Sequence, residues 1–236
     1  MKQCVVEFDI PADLDPSVLF YYKLTNFFQN HRRYVKSLNS NQLKGKFVSP
    51  SSLDNSDCKP LGTIGGKNGV AIYPCGLIAN SLFNGWVYTL WTIFTLLKTF
   101  TDTFSSPTLL NPSGSSDSSQ LYVFSSTGIA WPGEAKKYTA SPIGPGGYPN
   151  LSSIVPPPNW QLRFPDNYTE QNPPPDLSAD EHFQNWMRTA GLPTFTKLYG
   201  RNDTDTMQQG TYRIIIGLSK FSFPCTFSIF WNLYSE

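Results

Sequence analysis

The chain has 236 residues, enough for one large domain or two small ones. Charged residues make up 15%, below the usual share of about a quarter, while aromatics also reach 15% beside 20 prolines and 17 glycines. That mixture excludes a helical bundle and a disordered tail, and the net charge of +1 gives no electrostatic reason to expect nucleic acid or an anionic membrane surface.

The opening stretch "MKQCVVEFDIPADLD" has no apolar core and no small-residue cleavage site, so it is not a signal peptide and, taken literally, points to the cytosol. Within it "CVVEFDIP" alternates, with Val6, Phe8 and Ile10 on one face and Glu7 and Asp9 on the other, which predicts a half-buried strand ended by Pro11. "SVLFYYKLTNFF" alternates less cleanly, as a strand covered on both faces would. A serine-rich loop then leads to Cys58. Residues 105–120 read as a loop, and "LYVFSSTGIAW" as a further strand. From Pro132 to Pro175 runs a long irregular segment whose Trp160 and Phe164 predict packing along a surface. "SADEHFQNWMRTAG" predicts a helix: Ser178 as N-cap, Glu181 completing a capping box, a stripe of Phe183, Trp186, Met187 and Ala190, and Gly191 as the stop. "GTYRIIIGLS" predicts a strand buried on both faces, and strands at both ends of the chain imply a sheet that the termini share. The expectation is one mainly β domain with long loops and one or two short helices.

The chain carries few residues arranged for chemistry. There is no GxSxG, P-loop, GxGxxG after a strand, or HExxH. A hydrolase built on a serine with His31 or His182 is a weak alternative. Zinc is disfavoured because no CxxC pair exists, and no other cofactor is indicated. His31, Arg32 and Arg33 could clamp phosphate or carboxylate; the favoured reading is instead that the arginines stack on the adjacent Phe27, Phe28 and Tyr34. Sequons at Asn150, Asn167 and Asn202 favour a lumenal chain. The cysteines at 58 and 75 bracket a glycine-rich loop, and a disulfide of that size would contribute roughly 3 kcal/mol; four cysteines allow three pairings, which the residues alone do not choose between.

At "YYKLTNFFQNHRRYVKSLNSNQLKG" the chain closely resembles the cell-division-control-protein-50 family, also called the ligand-effect-modulator family. The likeness continues in "YPCGLIANSLFN", "DTFSSP", "GIAWPGEAKKY", "PPPNWQLRFP" and "HFQNWMRTAGLPTFTKLYGRNDTDTMQQGTYRIIIGL". It covers nearly everything from Cys4 to Leu218 except one insert. Members are accessory subunits of type IV P-type ATPases that flip phospholipids, with two transmembrane helices around a glycosylated, disulfide-bonded ectodomain. The resemblance implies an antiparallel β-sandwich, a disulfide between Cys58 and Cys75, and an unpaired Cys4. It also implies that this chain is the lumenal or extracellular ectodomain without its membrane helices. The partner is then a type IV P-type ATPase and not nucleic acid, in a membrane of the endoplasmic reticulum, Golgi, endosome or cell surface. Tyr22, Asn30, His31, Arg32, Arg33 and Trp160 are the expected partner or structural surface.

The greasy stretch 85–101, "GWVYTLWTIFTLLKTFT", falls where the family runs directly from "NSLFN" into "DTFSSP". It is too short to span a bilayer comfortably, which takes about twenty apolar residues. It reads as translated intron that destroys a sequon at Asn84, as does the unmatched tail 220–236; a genuine lineage-specific segment is the alternative. The expectation is thus a non-catalytic accessory subunit, and the alternative is a stand-alone secreted β-sandwich that binds glycan or lipid. A chain lacking both helices is expected not to assemble with an ATPase.

Overall fold

The computed structural model describes residues 2–82, 108–110 and 120–218, with side chains taken at 5–82, 109–110 and 121–215. The insert, the sequon at Asn84, the tail and the side chain of Cys4 lie outside the described residues. Among the described residues more lie in strands than in helices, in small sheets whose ladders are mostly antiparallel. Contacts sort into two compact units, one from the described parts of Met1–Tyr22, Phe83–Ser126 and Leu198–Glu236, the other from Lys23–Leu82 and Thr127–Lys197.

In the first unit, β1 (Lys2–Ile10) begins a sheet, β2 (Val18–Leu24) lies apart from it, and β3 (Thr63–Ile64) and β4 (Val70–Ile72) belong to the second unit. Then follow β5 (Thr108–Leu110), β6 (Gln120–Leu121), β7 (Ile154–Val155), β8 (Phe195–Asn202) and β9 (Gly210–Leu218). One sheet runs β1-β9-β5-β6, so the two ends of the described chain do pair, antiparallel from Lys2↔Leu218 to Ile10↔Gly210. The register follows the side chains. Phe8 faces Tyr212 with rings 5.9 Å apart, Glu7 takes an ion pair from Arg213 at 2.7 Å, and Thr211 donates to Asp9 at 2.6 Å. The alternation read in β1 holds, with Ile10 buried and Glu7 and Asp9 exposed. In β9, by contrast, Tyr212 and Ile214 are buried while Arg213 is exposed. The strand is therefore covered on one face at that position, because its arginine is the partner of Glu7 on the outer one.

β2 buries Val18, Phe20 and Tyr22 and half-buries the residues between, and it pairs with β8 in a two-stranded sheet. The strand expected from Leu121 forms a ladder only to its first residue. Tyr122 is buried and Val123 exposed, as alternation requires, but Asn202 Nδ2 donates to the Val123 carbonyl at 2.9 Å and a lone bridge joins Ser125 to Arg201. A core of Ile10, Val18, Leu109, Tyr122, Met207 and Tyr212 fills this unit.

The second unit carries five short helices among its described residues, more than the one or two expected: α1 (Arg32–Lys36), α2 (Ser40–Leu43), α3 (Pro50–Asp54), α4 (Leu77–Asn80) and α5 (Glu181–Met187). Each of the first three starts on a side chain that accepts a backbone N–H, from His31, Asn39 and Ser49 respectively, with Pro50 at the first helical turn of α3. Helix α5 is shorter than its apolar stripe suggests. Ser178 donates to Asp176 instead of capping, Asp180 is the N-cap, and the helix ends at Met187 with Arg188 as C-cap, leaving Ala190 and Gly191 outside it. Phe183, Trp186 and Met187 are buried as expected. The long proline-rich segment does pack. Trp160, Phe164 and Tyr168 are buried, with Trp160 Nε1 donating to the Ala79 carbonyl at 3.0 Å and Tyr168 donating to the Tyr73 carbonyl at 2.6 Å.

Candidate functional site

Cys58 and Cys75 are joined in a disulfide with their Cα atoms 5.7 Å apart, within the usual range for such a bridge. Both are buried. The segment from Cys75 to Leu77 is a hub for the second unit. The Cys75 N–H donates to Gln42 Oε1 at 2.9 Å, the Gly76 N–H to the Leu61 carbonyl at 3.0 Å, and the Leu77 N–H to Ser37 Oγ at 2.9 Å. Gly76 has φ +101° and sits so close to α1 that an added Cβ would lie 2.0 Å from the Ser37 carbonyl oxygen. Only glycine tolerates both conditions.

This hub holds the walls of an open cleft of about 580 Å³. One side is α1 with its N-cap, bearing His31, Arg32, Arg33 and Lys36; the other is the loop into the disulfide, bearing Ser56, Asp57 and Lys59. The four Arg and Lys side chains are exposed. Among the described residues none of the four makes an ion pair, and neither arginine lies over an aromatic ring. The expected stacking of Arg32 and Arg33 on neighbouring aromatics is therefore replaced. Phe27 instead packs edge-on against half-buried Tyr34 and Phe195 and against buried Trp186, while Arg32 and Arg33 are exposed. His31 Nδ1 accepts the Arg33 N–H at 3.3 Å, which leaves Nε2 as the ring's outward donor in the neutral form. Asn30 is exposed beside this cluster in sequence.

Of the residues expected as partner or structural surface, Trp160 and Tyr22 are buried in packing roles. Trp160 is 1% exposed, its indole held between Phe164 and Phe183, and Tyr22 is 8% exposed and packs edge-on against Tyr199. The sequons differ in setting. Asn150 and Asn167 are exposed, and Ser152 donates to Asn150 Oδ1 at 2.8 Å. Asn202 is buried, with Nδ2 donating to the Val123 carbonyl and to Asp205 and Oδ1 accepting from Thr204 and Asp205. A glycan on that nitrogen would displace these hydrogen bonds.

The sequence did not single out two further features. Glu181, expected to close a capping box, reaches out of α5 and accepts the N–H groups of Gly128, Ile129 and Ala130 at 3.0, 2.8 and 2.8 Å. Lys197 is buried and donates to the carbonyls of Asn185 at 2.6 Å and Arg188 at 2.5 Å, satisfying the end of α5. Burial, aided by the Arg188 charge, pushes its ammonium down to about 8. Among the described residues no group of three or more His, Cys, Asp or Glu side chains could hold a metal ion, and no helix is long and apolar enough to cross a membrane.

The described residues thus combine small, mostly antiparallel sheets, a buried disulfide and an open basic cleft. The profile of the LEM3 (ligand-effect modulator 3) family / CDC50 family matches residues 1–226, and the chain belongs to that family. It is similar to the "Phospholipid-transporting ATPase accessory subunit CDC50" of Chaetomium thermophilum, 47% identical over 213 residues, covering 90% of this chain and 47% of that protein. It is also similar to two proteins of Saccharomyces cerevisiae. "Phospholipid-transporting ATPase accessory subunit CRF1" is 42% identical over 211 residues, 89% of this chain and 45% of the relative. "Phospholipid-transporting ATPase accessory subunit LEM3" is 36% identical over 218 residues, 91% of this chain and 45% of the relative. The chain thus spans about half the length of these curated relatives.

Proposed function

We propose that this chain is the lumenal, partner-binding part of a non-catalytic accessory subunit of a type IV P-type ATPase that translocates phospholipid. It holds the ATPase during folding and supports its exit from the endoplasmic reticulum towards the Golgi, endosomes or cell surface. The single observation that carries this reading is the family match over residues 1–226, with relatives whose names state an accessory role to a phospholipid-transporting ATPase. The disulfide and the exposed sequon asparagines Asn150 and Asn167 support a lumenal address.

We also propose that the first unit is an antiparallel sandwich. Val18 of β2 packs in one core with Ile10, Leu109 and Tyr212 of the four-stranded sheet, which supports two facing layers.

The test is removal of the gene from the source cell, followed by imaging of each type IV ATPase and an assay of lipid translocation. One ATPase is expected to be retained in the endoplasmic reticulum with its transport lost, and restored by the full-length protein. Unchanged location and transport of every such ATPase would overturn the reading.

A further inference from the structure

We propose that the cleft between α1 and the Cys58 loop is a binding site for a phosphate-bearing ligand. The inference rests on the chemistry of the cleft itself and stands apart from the assembly with an ATPase. The chain as a whole carries only +1, yet this one cleft is lined by Arg32, Arg33, Lys36 and Lys59 against the single carboxylate of Asp57. Four like charges on facing walls repel one another, and among the described residues none is compensated by an ion pair. An anion seated between them removes that repulsion.

The donors favour phosphate over a lone carboxylate. Two guanidinium forks, two ammonium groups and the His31 Nε2 position offer more N–H donors than two carboxylate oxygens can accept, whereas a phosphate presents three or more oxygens in a tetrahedral spread. Ser56 adds no hydroxyl donor, since its Oγ already donates to the Leu53 carbonyl at 2.8 Å.

The walls are also built and not accidental. Lys59 follows Cys58, which is tied by sulfur to Cys75; α1 ends on Ser37, whose Oγ accepts the Leu77 N–H. Two residues of the same hub therefore fix the spacing of cations that are far apart in sequence. Preorganisation of this kind lowers the ordering cost of binding.

The experiment uses the full oxidised chain and three probes at low salt: pyrophosphate, phosphatidylcholine vesicles containing phosphatidic acid, and polyglutamate of matched charge. Pyrophosphate binding is expected, weakened at least about tenfold by Arg33→Gln with Lys59→Gln and by raising the salt from 50 to 300 mM. Lys136→Gln with Lys137→Gln, outside the cleft, is expected to leave it within about twofold. Binding to the vesicles with competition by pyrophosphate assigns the site to a lipid headgroup; binding of pyrophosphate without vesicles assigns it to a soluble phosphate compound. Absence of pyrophosphate binding, tighter binding of polyglutamate, or an equal loss in the Lys136 and Lys137 control would each overturn the proposal. Unfolding curves of the variants that match the parent keep a folding defect from imitating lost affinity.

Discussion

Replacing Gln42 by leucine tests the hub on which the second unit is organised. The Gln42 side chain is fully buried, with Nε2 donating to the Ile72 carbonyl at 2.8 Å and to the Tyr148 hydroxyl at 3.0 Å, while Oε1 accepts the Cys75 N–H. Leucine fills a similar volume and makes none of these bonds. Tyr148 retains the Val48 carbonyl at 3.2 Å, but Cys75 N–H and Ile72 C=O lose the partner that Gln42 supplies. Each abandoned buried group costs roughly 1–3 kcal/mol, and added apolar burial returns about 1 kcal/mol. The expected net loss is about 1–5 kcal/mol, or a fall in Tm of about 2–20 °C for a chain of this size. Guanidinium unfolding with the disulfide intact, followed by the emission of buried Trp160 and Trp186, measures it. Gln42→Glu sharpens the test. It keeps an acceptor for Cys75, but its carboxylate can donate to Ile72 only when protonated, so burial raises its pKa and the variant should gain stability as pH falls towards 5. A leucine variant within about 0.5 kcal/mol of the parent, or a glutamate variant with no such pH dependence, would refute the reasoning.

Other perturbations follow from the same geometry. Glu181→Ala frees three backbone N–H groups, so amide exchange at residues 128–130 should accelerate at least about tenfold while exchange in β1 stays unchanged. Lys197 has a folded-state pKa lowered to about 8, so between that value and its ordinary 10.5 the unfolded chain holds the extra proton and stability rises with pH. Unfolding free energies from pH 7.5 to 9.5 should show this rise in the parent and lose it in Lys197→Met; equal slopes would contradict the assignment. Tyr73 is fully buried and its hydroxyl has no partner among the described residues, so Tyr73→Phe should leave stability unchanged or raise it by up to about 1 kcal/mol, as chemical denaturation would show.

What could be read in the sequence was what periodicity controls. The terminal strands declared themselves because Phe8 and Ile10 alternate with Glu7 and Asp9, and the partner strand supplies Tyr212 and Arg213 in matching register. The stripe of α5 was legible for the same reason, but its start was not: three acidic side chains compete there, and Asp176 and Asp180 take the turn and cap while Glu181 is drawn to the loop at 128–130. Helices α1 to α4 are of four or five residues each, too short to show a period, and depend on caps and on contacts such as the 2.7 Å Tyr34–Ser81 hydroxyl pair. His31, Arg32 and Arg33 were visible as a cluster in the sequence. That Lys59 faces them was not, because the juxtaposition is made by the Cys58–Cys75 bridge and by the Ser37–Leu77 bond, both long-range.

Under the proposed function, the full-length protein that contains these residues grips a lipid-transporting ATPase without chemistry of its own. Affinity purification of the full-length protein from its own membranes, with the co-isolated proteins quantified by mass spectrometry, tests it most directly. Near-equal amounts of one type IV P-type ATPase are expected, sharply depleted when Cys58 and Cys75 are both changed to serine. Recovery of the protein alone, retaining a sugar or lipid and no such ATPase, would contradict the account.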